Sequence, residues 1–137
     1  MKEPLVPASY VLEYPASDPK EARRYFETKL GVETDSWDVH ADLENGVKGF
    51  ILIDTRSASA YRKEHITGSV NLHYRLMDEK TTASLSKETL IVVVCAGVGC
   101  NAGAKGAAKL AGLGFRVKEL LGGLAWWKQM GYPTQSY

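Results

Sequence analysis

The pattern of apolar and polar positions divides the chain into short helices and strands. After the capping residue Asp18, apolar residues recur at helical spacing until Gly31, which predicts a first helix. Residues 36–45 fit a second, shorter helix. Residues 5–15 carry several aromatic and β-branched side chains, and we predict that they are extended.

From Phe50 onward, continuous apolar runs typical of buried strands alternate with helical patterns. The predicted strands are 50–54, 69–72, 90–94 and 116–121. The predicted helices are 57–65, 101–113 and 124–130. Strands that alternate with helices imply an α/β fold, in which helices cover both faces of a mostly parallel sheet.

Composition narrows the class of protein. The chain has 137 residues, of which 45% are apolar and 24% charged, and this balance fits one globular domain. Its formal net charge is +1, so we expect neither a nucleic-acid partner nor an anionic membrane surface. Two cysteines are too few for a disulfide scaffold, and the amino terminus lacks the apolar stretch of a signal peptide. These features favour a cytoplasmic setting.

Candidate chemistry lies in the loop after the most apolar strand. Cys95 follows that strand directly, where parallel sheets bind their ligands. The loop continues as Ala96, Gly97, Val98, Gly99, Cys100 and Asn101. No charged residue occurs between Leu90 and Ala104. Backbone N–H groups and a helix amino terminus are therefore the expected means of lowering the pKa of Cys95, with Lys105 or a remote side chain assisting.

Several interpretations of this loop stay open from the residues alone. Cys95 could be only a small apolar side chain after a strand. Cys100 fits a resolving thiol, a second nucleophile or a residue of the site wall, and we favour the wall residue. Gly97–Ala102 also fits a dinucleotide fingerprint with Glu119 as its acidic partner, but only eighteen residues follow Glu119, so we do not favour that interpretation.

Further motifs occur in a fixed order around this loop. They are Ile53-Asp54-Thr55-Arg56, Tyr61 with His65-Ile66-Thr67-Gly68-Ser69-Val70-Asn71, Val92-Val93-Val94-Cys95, Gly114-Phe115, Gly122-Gly123, Trp127 and Gly131-Tyr132-Pro133. Together they resemble the rhodanese-like family of sulfurtransferase domains. The resemblance covers residues 46–133, which form the expected core of a single domain over 1–137. Residues 1–45 are the expected extension with two helices.

The resemblance implies a central, mostly parallel sheet of about five strands and a sulfur-transfer reaction. Cys95 is implied as the nucleophile that carries a persulfide, with thiosulfate or a persulfide as donor and a thiol or cyanide as acceptor. The backbone amides of residues 96–101 would bind the anion. Asp54, Arg56 and His65 are expected to support the loop structurally. No cofactor and no metal are implied.

Two departures from the family pattern leave other functions open. Cys100-Asn101-Ala102 stands where the family's loop usually has arginine and serine, and the loop region is longer than usual. Longer loops are associated with phosphatase and arsenate-reductase relatives, yet Asn101 replaces the arginine that those enzymes use. A non-enzymatic module that binds an anion or a partner is the main alternative. Residues 1–45 could cover the cleft, mediate homodimerisation or extend the core.

Overall fold

The computed structural model describes residues 2–137, which form two compact units. The first unit ends at Leu30, and the second comprises Gly31–Tyr137. Helix α1 spans Pro19–Val32, as predicted to within two residues, and Asp18 accepts the Lys20 N–H at 3.1 Å. Residues 10–12 form a turn rather than the predicted extended segment, because Ser9 Oγ accepts the Leu12 N–H at 3.1 Å.

The second unit contains a five-stranded parallel sheet, which confirms the predicted fold class. Its strands are β1 (Glu33–Thr34), β2 (Phe50–Asp54), β4 (Val70–Asn71), β5 (Leu90–Val94) and β6 (Val117–Leu120). They are ordered β1-β6-β5-β2-β4, so β5 lies in the centre. Two further strands, β3 (His65–Ile66) and β7 (Thr134–Gln135), pair antiparallel to each other. The sequence analysis missed β1, β3 and β7, since two residues are too few to show a period.

Helices cover both faces of the sheet. They are α2 (Ser36–Glu44), α3 (Ala58–Lys63), α4 (Ala102–Gly112) and α5 (Gly123–Gln129), with a 3-10 helix at Tyr74–Leu76. Side chains of β5 alternate between two cores: Val92 and Val94 pack with α2 and α5, whereas Ile91 and Val93 pack with Leu110 of α4. This alternation explains why β5 is apolar throughout.

The amino-terminal part of the chain contributes to the sheet. The sequence analysis groups residues 1–45 as an extension, whereas β1 and α2 lie in the second unit. β1 pairs with β6 at the sheet edge, and α2 places Val39 in the core. In the described part of the chain, no helix has the length and apolarity needed to cross a membrane.

Replacing Leu110 tests the packing of α4 on the sheet. Leu110 is fully buried, so Leu110→Ala should lower the free energy of unfolding by about 2–5 kcal/mol in urea denaturation. Lys109→Ala replaces the exposed residue next to Leu110 and should change the free energy of unfolding by less than about 0.5 kcal/mol. Equal losses in the two variants would contradict this packing.

Candidate active site

Cys95 leaves the carboxyl end of the central strand and is 5% exposed. The loop that it begins is held by the first residues of α5. Leu124 donates its N–H to the Cys95 carbonyl, and Ala125 donates its N–H to the Ala96 carbonyl, both at 2.9 Å. On the other side, Thr55 donates both its N–H and its hydroxyl to the Val94 carbonyl. The strand end and the loop start are therefore fixed before any ligand binds.

Close approach between α5 and the loop requires glycine at position 123. Gly123 has φ +56°, and a Cβ there would overlap the Cys95 carbonyl oxygen and lie 3.0 Å from the Gly97 nitrogen. Gly97 and Gly99, the glycines that the sequence analysis emphasised, do not adopt positive φ. A Cβ at Gly97 would meet only Ala125 Cβ, at 3.3 Å, and Gly122 O, at 3.8 Å. The strictest glycine requirement of the site thus lies outside the loop itself.

The loop presents backbone amides and no side-chain cation of its own. Cys100 donates its N–H to the Gly97 carbonyl at 3.1 Å, which closes a turn. Within the part of the chain that the structure describes, the N–H groups of Ala96–Gly99 and Asn101 have no backbone partner. Asn101 precedes α4 but its side chain makes no capping hydrogen bond. Lys105 of α4 is exposed and places its Nζ 5.6 Å from the centre of the Tyr74 ring.

Cys100 is joined to Cys95. The two residues form a disulfide with Cα atoms 6.3 Å apart, within the range that cystines span. Both line an open cavity of about 170 Å³, together with Glu119 and Gly122. The sequence analysis favours a wall position for Cys100. The structure gives it that position and, in addition, places it within bonding distance of the nucleophile candidate.

Glu119 of β6 is the acidic group of this cavity. Its Oε2 and the Cβ of Cys95 flank Gly103 of α4, where an added Cβ would lie 2.9 Å and 3.3 Å from them. Burial raises the pKa of the Glu119 carboxyl, and the carboxylate of Glu33 on the neighbouring strand raises it further. The sequence analysis missed this role, since Glu119 drew attention only as the acidic residue of a dinucleotide fingerprint.

Asp54 and Arg56 form the ion pair that the sequence analysis expects. Asp54 is fully buried and accepts hydrogen bonds from the Arg56 side chain at 2.8–3.2 Å. Arg56 also donates to the Glu64 carbonyl, and Asn71 donates to the carbonyls of Asp54 and Arg56. These bonds connect β2, β4 and the end of α3, so both residues support the sheet end rather than the reacting atoms.

His65 lies apart from the Cys95 cavity and is engaged locally. Its Nδ1 lies 2.6 Å from the Tyr61 carbonyl, and its ring stacks on the Tyr61 ring. Its Nε2 lies 3.1 Å from Gln135 of β7. Among the described residues, no group of three or more His, Cys, Asp and Glu side chains is arranged to hold a metal ion.

The two adjacent tryptophans of α5 exchange their predicted roles. Trp127 is fully buried in the core and donates its indole N–H to the Pro133 carbonyl, whereas the sequence analysis places it at the pocket rim. Trp126 is 54% exposed and lines a surface cavity with Val98. The predicted assignment is wrong because Leu124 and Trp127, three residues apart, share the helix face toward the sheet.

Comparison with known proteins identifies the family. A sequence model of the family described as Rhodanese-like domain matches residues 38–130. The chain belongs to the rhodanese-like domain family. This membership confirms the predicted resemblance and places the chain in the sulfurtransferase superfamily. A search of curated proteins found no match.

Solved structures agree with the rhodanese-like fold. The BH2092 protein from Bacillus halodurans is 41% identical, with a TM-score of 0.84 and 87% of each chain covered. The rhodanese-like domain of the Alr3790 protein from Anabaena is 32% identical, with a TM-score of 0.69, 77% of this chain and 79% of that chain covered. A thiosulfate sulfurtransferase from Pseudomonas aeruginosa is 21% identical, with a TM-score of 0.67. It shares the fold over 85% of this chain and 21% of its own.

Replacing Gly123 tests the contact between α5 and the loop. Gly123→Ala places a Cβ on a residue with positive φ, which is strained, and this Cβ also clashes with Cys95. Gly131→Ala introduces the same kind of strain without a clash, because a Cβ at Gly131 meets no atom within 4 Å. Each strain alone costs about 1–3 kcal/mol. Gly123→Ala should therefore lower the free energy of unfolding more than Gly131→Ala, measured by urea denaturation. Equal losses would contradict the contact.

Replacing Glu119 tests its raised pKa. At pH values below the pKa that Glu119 has in the unfolded chain, the protonated carboxyl contributes fully to the stability of the fold. That contribution is lost as the pH rises through the raised pKa of the folded state. Glu119→Gln should therefore raise the melting temperature at pH about 7 but not at pH about 4, where both side chains are mostly neutral. The control Glu79→Gln, at an exposed position, should leave the melting temperature unchanged at both pH values. A gain of the same size at both pH values would contradict the raised pKa.

Proposed function

We propose that the chain is a single-domain sulfurtransferase that carries sulfane sulfur as a persulfide on Cys95. The observation that carries this proposal is the placement of Cys95 at the start of a loop in which, among the described residues, the N–H groups of Ala96–Gly99 and Asn101 have no backbone partner. Membership of the rhodanese-like family supports it. We infer a small sulfur donor, either thiosulfate or a persulfide, and a thiol or cyanide as the acceptor.

The first half-reaction moves one sulfur atom. The Cys95 thiolate attacks the outer sulfur of thiosulfate, a new S–S bond forms, and sulfite leaves with the electron pair of the broken bond. The persulfide then carries its negative charge on the terminal sulfur. Amides of the 96–101 loop are suited to stabilise that charge, as in an oxyanion hole.

The second half-reaction returns the protein to its starting state. An acceptor thiolate or cyanide attacks the terminal sulfur, and Cys95 leaves as a thiolate. Because Cys95 must be free, this cycle begins from the reduced protein, and we infer a reducing compartment such as the cytoplasm. No cofactor enters either step.

The charges of the loop favour sulfur transfer over phosphoryl or arsenate transfer. The candidate arginine position of those relatives holds Asn101, and Lys105 lies against Tyr74. Glu119 adds an acidic group to the cavity wall. Phosphoryl and arsenate transfer therefore lack the bidentate guanidinium that usually binds their oxygens. Thiosulfate is also a doubly charged tetrahedral anion, so among the two proposed sulfur donors these charges favour a persulfide.

Thiocyanate formation from thiosulfate and cyanide tests this function. With pre-reduced protein, Cys95→Ser should lower the rate by a factor on the order of 10² or more, because a hydroxyl cannot form the persulfide. Circular dichroism checks that the variant is folded. Equal thiocyanate formation by the wild type and the variant would exclude Cys95 as the carrier. Absence of thiocyanate in both, with no sulfide released by the wild type, would favour a binding module.

A further inference from the structure

Cys100 is a second thiol within bonding distance of the proposed sulfur carrier. The disulfide joins Cys100 to Cys95 across a sequence separation of 5. Closure of the loop does not depend on that bond alone, because the Cys100 N–H also donates to the Gly97 carbonyl. This hydrogen bond joins backbone atoms, so reduction of the disulfide removes neither of its partners.

The surroundings of the two sulfur atoms differ. Cys95 is almost fully buried, whereas Cys100 is half-buried and lines the same open cavity. A dithiol from solution can therefore reach the disulfide through this opening. The adjacent residues Val98 and Gly99 have ample space, since Val98 is 92% exposed and a Cβ at Gly99 would meet no atom within 4 Å.

We propose that Cys100 resolves the Cys95 persulfide, so that the protein releases sulfide and is left with the Cys95–Cys100 disulfide. This inference rests on the proposed sulfurtransferase function. It names the acceptor thiol as a residue of the chain itself, and it makes the observed disulfide a product of the reaction rather than a structural link.

The step balances without an added oxidant. The Cys100 sulfur attacks the Cys95 Sγ, a Cys95–Cys100 bond forms, and the bond between Cys95 Sγ and the terminal sulfur breaks. The electron pair leaves with the terminal sulfur, which also takes the Cys100 thiol proton and departs as hydrosulfide. The two cysteines are oxidised and the sulfane sulfur is reduced. A dithiol reductant in solution then restores both thiols by exchange.

A single-turnover experiment tests this role. The full chain is reduced, freed of reductant without oxygen, and mixed with one equivalent of thiosulfate. Intact mass and released sulfide are then measured. The wild type should become two hydrogen atoms lighter and release one sulfide per chain, whereas Cys100→Ser should become one sulfur atom heavier and release none. Cys100→Ala should behave like Cys100→Ser, and Cys95→Ser should gain no mass.

The other outcomes separate this inference from the proposed function. A wild type that keeps the extra sulfur overturns the resolving role and leaves Cys95 as the carrier. Sulfide release by Cys100→Ser and Cys100→Ala also overturns it. If neither the wild type nor these two variants gain sulfur or form the disulfide, with thiosulfate or with a small persulfide in its place, the sulfurtransferase function itself fails.

Discussion

The site depends on one contact, in which the start of α5 holds the loop after β5. Two α5 amides donate to the carbonyls of Cys95 and Ala96, and only a residue without Cβ fits at Gly123 between them. Since these carbonyls bind α5, the loop is left with N–H groups to present to a ligand. The sheet and the helix therefore orient the loop together, and the proposed anion site needs no charged side chain in the loop.

The electrostatic balance of the cavity limits which anions it suits. Backbone amides and the amino terminus of α4 provide partial positive charge, whereas Glu119 contributes a carboxyl whose pKa is raised by burial. Partial charges of this kind match a persulfide, which is small and singly charged. They are a weaker match for phosphate or arsenate, for which a guanidinium is the usual partner.

How much could be predicted from the sequence depended on the range of each interaction. Continuous apolar runs predicted β2 and β5, and with them the parallel sheet and the position of Cys95. The close approach at Gly123, the carboxyl of Glu119 beside Gly103 and the hydrogen bonds of Thr55 to β5 join segments distant in the chain, so no local pattern reveals them. The roles of Trp126 and Trp127 were predicted the wrong way round because the face of α5 that packs on the sheet was placed one residue too early in the sequence.

Competitive alkylation of the two thiols tests most directly whether the loop activates Cys95. The fully reduced wild type is treated with a limiting amount of iodoacetamide at pH about 6.5, where an ordinary thiol is mostly protonated, and the modified residue is identified by peptide mass. Access alone favours the half-buried Cys100. If backbone dipoles activate the nearly buried Cys95, it should be modified first. Preferential modification of Cys100 would contradict the account.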